Sequence, residues 1–376
     1  MSRLSEEESA LLGVVRDYAA TRIAPRAAAD EEAGRFPREV LDELGRMDLL
    51  GLPFAEEHGG SGLGYGTYLR VVEELSRAFL TVGLSLSVHT LATWAVATYA
   101  NDELRKELLP AMTAGRMLGA YALSEPGSGS DAAGLVTRAV RGGDVYVVDG
   151  TKAWVTHAGH ADFYVLMCRT SAERARGISA LLVSAETPGM SFPPPERKMG
   201  LRSSPTGQIV FDGARVPARN LLAEEGQGLT VALSALDGGR LGIAACSTGL
   251  AQAALDQATA YARERRQFGR PIGEFQGVAF MLADMATAVE AARALWMEAA
   301  QRRDAGEPFG PHAAMAKLFA SDTAMRVTTD AVQVFGGYGY TTDYPVERLM
   351  REAKVLQIVE GTNQVQRMVI ARALLA

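Results

Sequence analysis

Glu360 sits where an apolar stretch breaks. Val355–Val359 is mostly apolar, Glu360-Gly361-Thr362-Asn363 interrupts it, and a second apolar pattern begins at Val365 and runs toward Arg372. Asn363 with Gln366 three residues on has the form of a capping box, which would open a last helix. One carboxylate is thereby placed at a helix-to-helix corner, with Gly361 beside it free to bend the backbone sharply. A carboxylate held between apolar elements is desolvated, so its pKa rises and it suits proton abstraction near neutrality. An exposed loop glutamate fits this stretch equally well, and on these residues alone the two readings stand level.

Four other stretches carry residues with chemical potential. Tyr121–Asp131 reads Tyr-Ala-Leu-Ser-Glu-Pro-Gly-Ser-Gly-Ser-Asp. Its glycines and serines expose N–H groups and hydroxyls that can cradle a phosphate or an anionic ring edge, although many ordinary loops look the same. Trp154 and Thr156 alternate on a strand and face one side, where the plainer role is a tryptophan covering a sheet. His157 and His160 follow without a third ligand nearby, which favours surface histidines over a metal site. Asp237 and Arg240, three apart in Leu236–Leu241 at the start of a long helix, share a face and can pair with each other. Arg263–Ile272 is basic after a charge-balanced helix, as a solvated helix C-terminus would be.

Taken together, these stretches closely resemble the signatures of the acyl-CoA dehydrogenases, five motifs in order across nearly the whole chain when Gln333-Val-Phe-Gly-Gly-Tyr-Gly-Tyr340 and the Glu360 stretch are counted as one C-terminal signature. The resemblance implies FAD as cofactor and Glu360 as the base that removes the α-proton of an acyl thioester while hydride leaves for the flavin. By the same resemblance Tyr121, Leu123 and Ser124 border the flavin pyrimidine edge, and Trp154 shields one flavin face. Thr156 lies near the flavin N5, and Ser130 reaches the cofactor or the bound acyl-CoA. Arg265, Gln267, Phe268 and Gln276 correspond to FAD contacts across a subunit interface, as do Gln333, Gly336 and Gly337. Thr362 and Gln364 are also implied as FAD contacts. Asp237, Arg240 and Gly361 line the substrate channel. Some members place their base immediately before the channel arginine; here that position is Gly239, which leaves Glu360. Val359 replaces the aromatic that often precedes the glutamate, which alters the wall of the acyl pocket. The resemblance further implies electron transfer to an electron-transferring flavoprotein and a homotetramer built as a dimer of dimers. Relatives acting on a carrier-protein-tethered acyl group, and flavin oxidases or monooxygenases of the same fold, share most of these motifs. A short to medium acyl chain is expected, and no basic residue in 80–100 speaks for a dicarboxylic acid.

The elements that must position these residues fall into three textures. Residues 1–120 read as helices: Leu4, Leu11, Leu12, Val14, Val15 and Tyr18 recur at helical spacing behind a Ser5/Glu8 capping box. Longer helices follow near 67–78 and 82–99, with a short one at 102–114. From 121 to 228 the period drops toward two and turn residues multiply, indicating a β domain. Within it Asp149-Gly150 has the form of a type I′ hairpin turn, and Pro193-Pro194-Pro195 is a rigid extended spacer. From 229 to 376 helices return as a bundle. The fold class expected is therefore mostly α with a central β domain. A net charge of −6 without a basic tract argues against nucleic acid. The run from Leu80 to Ala100 carries Thr, Ser, His and Asn, which does not suit a membrane span. Two cysteines, Cys168 and Cys246, fit a reducing compartment, and the acidic N-terminus lacks an apolar leader core, so a cytoplasmic protein is expected.

Overall fold

The computed structural model describes residues 5–375; Leu4, counted above in the first helical pattern, lies outside the described residues. Helix α1 (Glu6–Tyr18) opens on the expected capping box: the Ser5 hydroxyl accepts from the Glu8 N–H, and the Glu8 carboxylate accepts from the Ser5 N–H. Two short helices, α2 (Ala27–Ala33) and α3 (Arg38–Arg46), lead to α4 (Tyr65–Ala78), α5 (Leu80–Tyr99) and α6 (Asp102–Thr113). By length and composition α5 is apolar enough to cross a membrane, but 89% of its apolar window is buried inside the protein. It is a core helix. Being apolar all round, it needs cover on every side, and α4, α7 and the first strand supply it.

Eight strands form the central sheet: β1 (Gly119–Ala122), β2 (Arg138–Gly142), β3 (Val145–Thr156), β4 (Phe163–Arg169), β5 (Ile178–Ser184), β6 (Met190–Ser191), β7 (Thr206–Pro217) and β8 (Leu221–Leu222). Their order is β6-β7-β3-β2-β4-β5-β8, with β1 lying parallel to β4. The hairpin between β2 and β3 turns where Gly142 pairs with Val145, not at Asp149-Gly150. Those two residues lie inside β3, because β3 has partners on both edges and continues past them. The register with β7 shifts between Val148 and Gly150, and the Asp149 carboxylate accepts from the Gly213 N–H at 2.8 Å. His157 is not on the surface. It is fully buried, its ring bonded to the Gly119 carbonyl and the Ser85 hydroxyl, each at 3.0 Å, so it ties β3 to β1 and α5.

The chain then returns to helices: α7 (Gly228–Glu264), a two-strand ribbon of β9 (Arg266–Gln267) and β10 (Arg270–Pro271), α8 (Gln276–Asp304), α9 (Gly310–Phe335), α10 (Val346–Leu356) and α11 (Asn363–Leu375). Leu236–Leu241 does not start α7 but lies two turns inside it, and Gly238-Gly239 does not interrupt it. Helix α7 is the axis of the molecule, packed on α4, α5, α8 and α9. Its central run of alanines and glycines lets neighbours approach closely; a side chain at position 242 would collide with Ser87 of α5. One apolar core runs continuously through α1, α4, α5 and α7–α10.

Candidate active site

The corner between α10 and α11 carries Glu360. Its backbone is left-handed (φ 52°), and Gly361 follows at φ 89°. A left-handed residue other than glycine costs roughly 1–2 kcal/mol, so this conformation persists only because neighbours hold it. Gln366 does much of this: its side-chain N–H groups donate to the carbonyls of Glu360 (3.2 Å) and Gly361 (2.8 Å). The expected Asn363/Gln366 capping box does not form. Thr362 caps α11 instead, its hydroxyl accepting from the Val365 N–H at 3.3 Å. Asn363 is buried and drawn toward α9, where Lys317, Ser321 and Asp322 bind its amide. A tertiary network has taken both polar side chains that a local cap would use.

The Glu360 carboxylate points at α7. An added Cβ on Gly239 would lie 2.9 Å from Glu360 Cδ and closer still to Oε2, so the glycine is the space that the carboxylate fills. Glycine inside a helix costs about 1 kcal/mol relative to alanine, a penalty that α7 carries at the point of contact. Glu360 Oε2 is buried without a protein partner, as are Tyr121 Oη of β1 and Arg240 Nε of α7. Burial pushes the Glu360 carboxyl up to about 7, against the pull of Lys317 and then Arg240. Near neutrality it is therefore poised between acid and base. Tyr65 completes the wall by donating to the Gly238 carbonyl at 3.0 Å. Asp237 and Arg240 pair at 2.5 Å as their spacing allows.

On the β side the Tyr121–Asp131 loop is pinned by a buried ion pair. Lys152 Nζ donates to Glu125 Oε1 (2.7 Å) and to the Leu123 carbonyl (2.9 Å), while the Glu125 carboxylate accepts from the N–H groups of Val136 and Thr137. The Ser124 carbonyl accepts from the Ala153 N–H, which sets the loop beside Trp154. Trp154 lies at a bulge in β3 (φ 61°) and is 62% exposed between buried Ala153 and Val155, with Thr156 partly exposed on the same side. Ser130 stands exposed at the loop tip, and its glycine neighbours Gly127 and Gly129 have open space around them.

A second group lies far from Glu360. Gly239 and Arg265 are 26 positions apart along α7 and its C-cap, about 39 Å at 1.5 Å per residue. There Arg265 stacks over the Tyr338 ring (5.4 Å), which brings it to the turn holding Gly336 and Gly337 just after Gln333. Gln267 is exposed in β9, Gln276 begins α8, and Phe268 is 93% exposed with a left-handed backbone. The structure thus gathers Glu360, Tyr121, Asp237 and Arg240 at one centre and leaves Arg265, Gln267, Phe268, Gln276, Gln333, Gly336 and Gly337 at a distant, open surface. Thr362 and Gln364 lie beside the corner, the latter exposed.

Three residues near the centre carry no sequence signal. Lys317 lies within α9 and Tyr65 opens α4, and neither belongs to a motif that points to the site. Arg303 comes from the end of α8, yet its guanidinium lies over the Tyr65 ring at 3.4 Å and 5.9 Å from the Trp94 ring. A basic group therefore does reach the 80–100 segment, from a helix some 200 residues away in sequence. Repeat spacing within one helix could not have announced it.

Helices around a central sheet domain, a desolvated carboxylate at a helix corner, an exposed Trp/Thr strand end and a pinned Gly/Ser loop together make the frame of a flavin-type oxidoreductase that works on carbon acids. The exposed Trp154 ring offers an aromatic face, and the unpartnered Tyr121 and Glu360 oxygens offer free polar atoms, as a flavin ring would require. Family models for the acyl-CoA dehydrogenase N-terminal, middle and C-terminal domains match residues 5–116, 120–214 and 226–375. The acyl-CoA dehydrogenase of Bacillus subtilis (strain 168) is 45% identical over 374 residues, covering 99% of each chain. The solved butyryl-CoA dehydrogenase from Megasphaera elsdenii is 40% identical and superposes with a TM-score of 0.98 over 100% of both chains. A solved chain from work on the electron transferring flavoprotein of Acidaminococcus fermentans and flavin-based electron bifurcation is 43% identical, with a TM-score of 0.98 over 100% of both. The chain belongs to the acyl-CoA dehydrogenase family, and it is an FAD-dependent oxidoreductase of acyl-CoA thioesters.

Proposed function

We propose that this enzyme α,β-dehydrogenates a short-chain acyl-CoA with Glu360 as the base, releasing a trans-2-enoyl thioester. The observation that carries the reading is the Glu360 carboxylate, desolvated to a pKa of about 7 and seated against Gly239 with one oxygen left free. In its ionised form that oxygen takes the α-proton. The left-handed corner fixes its direction, and exclusion of water strengthens every charge interaction around it. The Glu360 N–H, at the same corner, is the donor assigned to the thioester carbonyl oxygen, where negative charge develops as the proton leaves. The hydride leaving the β-carbon would go to FAD, the chemistry that the cofactor would supply when bound. Trp154 and Thr156 would border its ring, the Ser124–Ser130 loop its phosphates, and Tyr121 and Leu123 its pyrimidine edge.

The short-chain assignment draws on the likeness to butyryl-CoA dehydrogenase. The side chains of Tyr65 and Arg303 also occupy volume beside Gly238. Delivery of electrons to an electron-transferring flavoprotein draws on the second solved relative. A homotetramer, in which the Arg265–Phe268 surface meets a neighbour's cofactor, would account for an almost fully exposed phenylalanine among polar ligands some 39 Å from the base. Two unpaired, buried cysteines favour a cytoplasmic setting. The test is anaerobic mixing of FAD-loaded Glu360→Gln with acyl-CoA esters of increasing length. Flavin reduction should fall by about 10² to 10⁴ while substrate binding persists. Rapid reduction in that folded variant would mean that another group is the base.

A further inference from the structure

Gln366 is neutral, but the second group holding the Glu360 corner is charged. Lys317 of α9 is fully buried, and its ammonium donates to the Gly361 carbonyl (3.0 Å) and to Asn363 Oδ1 (2.8 Å). The Asn363 orientation is set from its other end, where Nδ2 donates to Asp322 Oδ1 (2.7 Å) and Ser321 Oγ (3.0 Å). Its oxygen is thereby turned to the lysine. Among the described residues no carboxylate lies within ion-pair distance of Lys317. A buried ammonium with only neutral acceptors in contact is costly unless an anion lies close beyond them.

The charges facing Glu360 identify that anion. From α7 comes Arg240, already paired with Asp237, together with the buried thiol of Cys246. From α4 and β1 come Tyr65 and Tyr121, both held neutral by burial. From α9 come Lys317 and Asp322, the latter bonded to Asn363 and Gln357 and paired with Arg367 at 3.4 Å. From α8 comes Arg303, over the Tyr65 ring. Among the described residues Lys317 and Arg303 are the cations here with no carboxylate of their own, and of the two it is Lys317 that is bonded to the Glu360-Gly361 corner.

We propose that Lys317 is a positioning residue for proton abstraction: it locks the left-handed Glu360-Gly361 corner through the Gly361 carbonyl and, as a buried cation with no carboxylate of its own, favours the ionised form of the Glu360 carboxylate. This rests on Glu360 being the base. Burial pushes the lysine itself down to about 8, with the Glu360 charge the first of the influences holding it up. The two groups therefore stabilise each other's charged forms, the glutamate supplying the missing counter-ion and the lysine supplying the base form.

The test is the pH dependence of anaerobic flavin reduction in FAD-loaded protein, using butyryl-CoA, with Lys317→Gln and Lys317→Met. Gln keeps a donor for the Gly361 carbonyl but carries no charge. Its acid limb should move up by about one pH unit or more, a roughly tenfold slower reduction at pH 6, with the high-pH plateau nearly retained. Met, lacking both charge and donor, should show the same shift and a lower plateau. A second variant, Asn363→Asp, leaves the lysine in place and sets a carboxylate against it; cancelling the charge should again move the acid limb up. An unmoved acid limb in whichever of these variants folds with FAD overturns the proposal. Glu360→Gln run alongside separates the two claims. Wild-type reduction in that protein would remove the base assignment itself, whereas a dead Glu360→Gln with unmoved Lys317 and Asn363 profiles would remove only the role given to Lys317.

Discussion

Replacing Gly239 by alanine puts a methyl group where the Glu360 carboxylate now lies. The new Cβ would stand 2.9 Å from Glu360 Cδ, whereas carbon–carbon contacts settle at about 3.5–4.0 Å. Helix α7 cannot recoil, because α4, α5, α8 and α9 pack around it, so the carboxylate must retreat by about 1 Å. A misplacement of about 1 Å at a reacting group can cost ~10²-fold in rate, or about 2.7 kcal/mol of barrier. Stability should move the other way, since alanine is worth about 1 kcal/mol more than glycine inside a helix. The expected protein is yellow and at least as heat-stable as wild type, but slow by ~10² in the reductive half-reaction. Stopped-flow mixing with butyryl-CoA under anaerobic conditions, alongside a thermal melt, measures both. Reduction within about threefold of wild type in folded, FAD-loaded Gly239→Ala would refute the seat assigned to the carboxylate.

Acid should destabilise the fold through two buried imidazoles. Burial pushes His89 down to about 4 and His157 down to about 3, so above about 6.5 both are neutral in either state and cost nothing. As pH falls below 6.5 the unfolded chain binds protons that the folded one refuses, and each histidine should remove ~2 kcal/mol by pH 5. The loss of melting temperature between pH 7 and pH 5 should shrink in His157→Gln, and an unchanged loss would rule out this source. Arg265→Ala should speed FAD release while leaving turnover at saturating FAD close to normal, because a guanidinium suits phosphate through paired hydrogen bonds. Unchanged FAD retention with lost turnover would contradict a cofactor role for that surface.

The sequence by itself determined the order of textures and the chemistry of the motifs. Apolar spacing marks α4, α7, α8 and α9, continuous apolar runs mark α5, β4 and β5, and Ser5 with Glu8 caps α1, because each signal is carried within a dozen residues by contacts that are local in the fold. The same logic fails where a distant element offers a stronger partner. Asp149-Gly150 has the form of a turn, yet β2 and β7 flank it and draw it into one strand. Asn363 and Gln366 have the form of a cap, yet α9 claims the first and the Glu360-Gly361 carbonyls claim the second. His157 looks superficial beside His160, yet the Gly119 carbonyl and Ser85 hydroxyl satisfy both ring nitrogens inside the core. The carboxylate at 360 was legible as a candidate base. Its seat against Gly239, the cation of Lys317 beneath it and the approach of Arg303 depend on which helices lie side by side, and hydrogen bonds and charges acting across 40 to more than 100 residues leave no periodic trace in the chain.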